Sequence, residues 1–210
     1  VIGVALSFAA NYLILPTWEH NTYRQAVTKS IKANIGYLEQ VKVIFNTEEG
    51  ITTAYKVSRK EAVLALSNLN TTFQRMLQEP KFMQNHNPSI YGIIVIQQSF
   101  LASVAYFGIR LNSKKVTFPK PVFNKAIDSI IQSLQHTLAL LTQQAPLPPS
   151  IDYKAPIDQL QTAIKELSGQ PTDTENLPIS MRETQFYLEQ FNYLFGLAKN
   201  LEQGVISVSK

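Results

Sequence analysis

Three residues spaced by sevens offer the first chemistry in this chain: Glu61, Asn68 and Arg75. In a helix, a seven-residue step returns each side chain to nearly the same stripe, so a carboxylate, an amide and a guanidinium line up. Such a stripe has two uses. It can form a polar pocket that recognises an anion or transmits a signal. It can also form an interhelical hydrogen-bond network, in which the forked guanidinium of Arg75 fixes helix register. The structural use is preferred, because buried polar networks in helical bundles more often set packing than bind ligands.

Other chemistry is thin. His20, His86 and His136 are isolated, and none lies four residues from another His, Asp or Glu in a metal-binding pattern. Asp152 and Asp158 share a helical entrance, where acidic groups complement the macrodipole. The absence of Cys removes a disulfide scaffold, a thiolate metal site and a cysteine nucleophile together. No GxGxxG, GxxxxGK[ST], GxSxG or HExxH occurs. No enzymatic activity, cofactor or metal is expected.

The elements that position these residues can be read from composition and spacing. The 210 residues are 45% hydrophobic, which excludes a disordered chain. Charged residues are only 16%, against roughly 25% in typical soluble domains, so much of the surface must be covered. Nineteen Lys and Arg are scattered without a run. A nucleic-acid interface concentrates them beside stacking aromatics, so no nucleic-acid partner is expected.

From Val1 to Trp18 there is no charge: VIGVALSFAANYLILPTW. The chain opens on Val rather than Met, and it is expected to be a piece of a longer protein. Gly3, Ala5, Ser7, Ala9 and Ala10 are small enough for close packing of membrane helices. Tyr12 and Trp18 fall where an interfacial aromatic belt anchors a span. Arg24, Lys29 and Lys32 follow, the positive bias of a cytoplasmic flank. Residues 1–17 therefore read as the end of a transmembrane helix, with a buried core helix stopped by Pro16 as the alternative.

Everything after residue 17 repeats at helical spacing. Val27, Ile31, Asn34, Leu38, Val41 and Phe45 form a heptad seam with one polar position, and Asn34 there is expected to set register rather than strength. Ser58 with Glu61 matches a capping box, followed by the apolar face Ala62, Leu66, Leu69, Phe73 and Met76. Ile90 to Ile109 is free of charge and long enough to span a bilayer. Gln97, Gln98 and Ser99 at its centre instead predict the interior helix of a bundle, apolar nearly all round. A helix through Phe123, Ile127, Ile130, Leu134, Leu138 and Leu141 follows, then the linker 145–150, APLPPS. A shorter helix after Pro156 ends at Gly169, and a last one runs from about Pro178 to Gln203, with Gly204 just past its end.

Two stretches carry a resemblance. The small-residue helix that runs into LILPTWE, Gly3 to Glu19, is one; SRKEAVLALSNLNTTFQRMLQEPK, Ser58 to Lys81, is the other. Together they resemble the C-terminal part of the fusaric acid resistance (FUSC) family, in its aromatic acid exporter group and particularly its Bacteroidetes-type members. The more specific elements are Arg59 to Ala62, Asn68-Leu69 and Phe73 to Lys81. From Lys114 onward the sequence shows only helices.

The resemblance implies an all-α fragment of a bacterial inner-membrane efflux protein. Residues 1–17 would end the last transmembrane helix, and residues 18–210 would form a cytoplasmic bundle of about six helices, with a sub-boundary at 145–150. It also implies that the 90–109 segment belongs to the soluble bundle. The implied partners are the membrane, further copies of the chain, and a small aromatic carboxylate as the substrate of the full-length protein. A stand-alone helical-bundle interaction protein with no transport role is the competing reading.

Overall fold

An apolar side chain at every third or fourth position needs a partner surface, and the stripes of α1, α2 and α4 find one in a shared core. The computed structural model describes residue 3 and residues 22–47, 50–79, 87–113, 119–143, 154–168 and 179–209. Among them are six helices and no strand: α1 (Tyr23–Thr47), α2 (Thr53–Met76), α3 (Asn87–Ser113), α4 (Lys120–Thr142), α5 (Lys154–Ser168) and α6 (Ile179–Ser209). The fold is an all-α bundle around one hydrophobic core. The 1–17 segment (residue 3 apart) and the linker 145–150 lie outside the described residues.

The heptad seam of α1 is buried along its length, from Val27 through Asn34 to Phe45. It meets α2, α3 and α4. Towards α4, Phe45 stacks on Phe123 with ring centroids 3.6 Å apart. Beside that stack, Lys42 donates to both Asp128 oxygens at 2.6 and 2.8 Å. One turn on, the Asn46 and Asn124 amides exchange hydrogen bonds at 2.8 and 3.0 Å. These pairs run oppositely in sequence, so α1 and α4 are antiparallel.

Helix α2 begins earlier than the Ser58–Glu61 capping box predicts. Thr52 is the N-cap, and its hydroxyl accepts from the Tyr55 amide at 3.1 Å. Ser58 is already inside the helix and donates to the Ala54 carbonyl at 3.0 Å. Tyr55, one heptad before Ala62, continues the apolar face and carries the helix to that earlier start. The last helix also differs from its expected end. Gly204 sits within α6, five residues before Ser209. A Cβ there would lie 3.1 Å from Ile93 Cγ1, so its missing side chain serves close packing of α6 on α3 rather than a helix stop.

Helix α3 packs on α1, α2 and α6. Phe107 anchors it in an aromatic cluster: Phe123 lies at 5.7 Å, Tyr187 at 5.4 Å and Phe191 at 5.1 Å. On the α2 side, a Cβ at Gly108 would lie 2.5 Å from the Tyr55 hydroxyl. That close approach lets Tyr55 share a 2.8 Å hydrogen bond with Tyr37 of α1 in the core. Burial, reinforced by this bond, pushes the Tyr37 hydroxyl far above the ordinary tyrosine range, so it stays protonated.

The expectation of a helix apolar nearly all round and covered on every side holds for only half of α3. Its Pro88–Leu111 stretch is long and apolar enough to cross a membrane, with mean hydropathy 1.6 and half of that window buried in the bundle. Gln97 is 1% exposed and Gln98 beside it is exposed. Tyr91, Val95, Tyr106 and Ile109 remain 43 to 58% exposed on the outer face.

Gln97 explains how a polar group tolerates that interior. Its Oε1 accepts from Ser30 Oγ at 3.2 Å and from Asn34 Nδ2 on α1. Asn34 Oδ1 is buried without a hydrogen-bond partner among the described residues. The two sides of this contact therefore differ in worth. Gln97→Leu strands a buried amide and a buried hydroxyl and is expected to cost about 1–3 kcal/mol. Asn34→Leu removes an unsatisfied carbonyl and leaves Gln97 bonded to Ser30, so it is expected to be neutral or stabilising. Urea unfolding of both variants checks the asymmetry; equal losses would contradict it.

Candidate functional site: the groove between α1 and α2

Residues on α2 one position before its core residues are rotated from the core by about 100°. Glu61, Asn68 and Arg75 precede Ala62, Leu69 and Met76 in this way, and they point to the flank of the helix. There they form one wall of a groove of about 530 Å³ between α1 and α2. The opposite wall is Gln25 and Lys29 of α1, with Thr22 just before it, and Thr71 and Thr72 of α2 add hydroxyls. Ala26, Ala33 and Ala65 also line it, and their small side chains leave its floor open.

The three residues singled out by spacing are thus brought together, but in a different setting from the buried network expected of them. Glu61, Asn68 and Arg75 are all solvent-exposed. Ser30, Asn34 and Gln97 form a polar network that ties α1 to α3 in the interior. The physical reason is rotational: at about 100° from the core line, a side chain reaches the helix boundary and not the centre. The two interface anchors, Tyr12 and Trp18, lie outside the described residues.

Chemically the groove offers two cations, one carboxylate, two amides and several hydroxyls on a wide, open surface. It can hydrogen-bond and ion-pair with a polar or anionic group. Among the described residues that line it there is no histidine. Among the described residues, no group of three or more His, Asp or Glu could hold a metal ion. His136 is buried, with Nε2 3.5 Å from Glu202 Oε1, a contact that joins α4 to α6. A second, smaller hollow of about 400 Å³ lies at the start of α2, where Lys56, Arg59 and Lys60 surround Ile51 and Val63.

Sequence spacing missed Lys29 and Gln25. Both lie on α1 at a four-residue step, off the Val27–Ile31–Asn34 seam, and that step was the available signal. What spacing could not supply was the antiparallel approach of α2 that sets them opposite Asn68 and Arg75.

Comparison with known proteins gives one distant similarity. The chain is 21% identical over 170 residues to the inner membrane protein YccS of Escherichia coli (strain K12), which covers 75% of this chain and 23% of that protein. It therefore spans less than a quarter of the length of the curated relative it matches. No family model matches the chain, and no solved structure matches it.

Because the groove wall is exposed, its side chains contribute little to folding. Asn68→Ala is expected to change stability by less than about 0.5 kcal/mol, the range of surface substitutions away from special features. Thermal and urea unfolding measure this directly. A loss well above 1 kcal/mol, on the scale of a broken buried network, would return the stripe to a structural role.

Proposed function

We propose that this chain is the C-terminal part of an inner-membrane efflux protein of the aromatic acid exporter type. In this reading residues 1–17 complete the last membrane helix, and the bundle lies in the cytoplasm, where it supports assembly of the membrane part. The observation that carries the proposal is the similarity to an inner membrane protein across most of this chain but a small part of that relative. The uncharged stretch from Val1 to Trp18, followed by Arg24, Lys29 and Lys32, supports the same orientation.

The groove has a place in this reading. Thr22, Gln25 and Lys29 lie at the start of α1, the first helix after the proposed membrane segment in sequence. Lys29 and Arg75 put two cations there, which suits small aromatic carboxylates on their way from the cytosol. No chemical transformation is assigned to the chain. A free helical-bundle interaction protein is the second reading, favoured by the continuous core that the six helices share.

Truncation separates the two. A chain beginning at Trp18 is expected to be soluble without detergent, strongly helical by circular dichroism and cooperative on heating, whereas the full 210 residues require detergent or self-associate. If loss of residues 1–15 makes the protein aggregate or melt without cooperativity, that segment belongs to the soluble core and the membrane reading fails.

A further inference from the structure

The hollow at the start of α2 gathers positive charge over apolar surface. Lys56, Arg59 and Lys60 line it together with Ile51, Val63 and Leu64. The three apolar residues are 37, 49 and 50% exposed, and the three cations are exposed as well. Among the described residues no acidic side chain pairs with Lys56, Arg59 or Lys60. Glu61 is the one acid of α2, and it lines the α1–α2 groove instead. Glu48 and Glu49 lie outside the described residues. Lys56 and Lys60 are four residues apart, a like-charge step that disfavours a helix. The first turn of α2 contains no acid, so the positive end of its macrodipole adds to the same field. Positive charge is left uncompensated here at a cost to the helix.

We propose that this hollow binds a soluble phosphate monoester whose phosphate is carried on a small apolar body, an aryl or short alkyl group. Three cations with no acid among the lining residues match a dianion better than a monocarboxylate, which would leave two of them uncompensated. A phosphate monoester carries close to two negative charges at neutral pH and offers three strong acceptor oxygens. Lysine and arginine are the side chains that pair with such a group. Ile51, Val63 and Leu64 then cover the apolar body. The volume of about 400 Å³ falls within the range of small-molecule sites.

Size and surroundings select a small molecule over a macromolecule. Basic and apolar residues share only the stretch 51–64, and Ser67, Asn70, Thr71 and Gln74 follow on the same flank of α2. A bilayer would need the apolar stripe to continue along the helix. A protein interface covers about 800 Å² on each partner, more than two or three turns of one helix offer. Nucleic acid needs exposed aromatic rings on which bases stack. Tyr55 is the aromatic residue of the lining, and it is only 1% exposed.

Phosphorus NMR titration of the full chain tests this, with phenyl phosphate as the probe. Phenyl phosphate should saturate with a Kd of about a millimolar. Inorganic phosphate lacks the apolar body and should bind about tenfold more weakly. Benzoate, with a single charge, should displace phenyl phosphate only at about tenfold higher concentration. A double variant, Lys56→Gln with Lys60→Gln, should weaken phenyl phosphate about tenfold. It should melt no lower than the parent, because a like-charge pair has been removed. Absence of saturation, inorganic phosphate binding as tightly as phenyl phosphate, or benzoate competing at equal concentration each overturns the proposal. So does binding that the double variant leaves intact, and so does binding lost in Lys29→Gln, which would assign the probe to the α1–α2 groove. Vesicles containing phosphatidic acid form the last arm. If the chain sediments with them in a way that needs Lys56 and Lys60, yet ignores phenyl phosphate, the cations face a lipid headgroup and the soluble ligand is wrong.

Discussion

Gln97 sets the terms for the rest of the bundle. A glutamine in the middle of a helix without charges must find hydrogen-bond partners or lose the interactions it had with water. Ser30 and Asn34 provide them from α1, and only one depth and rotation of α3 against α1 lets both reach the same oxygen. Once that register is fixed, the other approaches follow along the helix. Ile93 lies against Gly204, Gly108 against Tyr55, and Phe107 enters the aromatic cluster with Phe123, Tyr187 and Phe191. The two glycines matter because the side chains of Ile93 and Tyr55 come close to their backbones, and a methyl group at either position intrudes.

The same register leaves two surfaces unspent. One is the α1–α2 groove, open because alanines lie where larger residues would fill it, and polar because its walls sit at the edge of the helix contact. The other is the outer seam of α3, apolar although exposed. A bundle that served only its own stability would place charge on that face. Their chemistry differs: the groove is polar and the seam uncharged.

Much of this was legible in the sequence, for reasons that particular residues make clear. The α1 seam was readable because its period is strict and Asn34 is its one polar position. The α2 core face was readable from Ala62 to Met76, but its start was not. Ser58 with Glu61 satisfies the capping pattern locally, while Tyr55 extends the buried face and places the cap at Thr52. Gly204 has the look of a helix stop, and only the approach of Ile93 shows why a glycine is needed there inside the helix. Periodicity placed Glu61, Asn68 and Arg75 on one stripe correctly. It could not say whether that flank was covered, because coverage depends on where the neighbouring helix lies. For α3 the difficulty was the opposite. Apolar residues on every side leave no moment to distinguish the buried face from the exposed one, and the Gln97–Asn34 contact decides it.

The central claim is that the inward face of α3 belongs to the core of this bundle, held by its contact with α1. Native-state hydrogen exchange followed by mass spectrometry tests this most directly, on the full chain with and without detergent. The account predicts that amides of residues 93–108 exchange only through global unfolding, equally slowly in both conditions and together with those of residues 30–41. Rapid local exchange of α3 without detergent, with protection appearing only when detergent is added, would contradict it and make α3 a membrane-seeking segment instead.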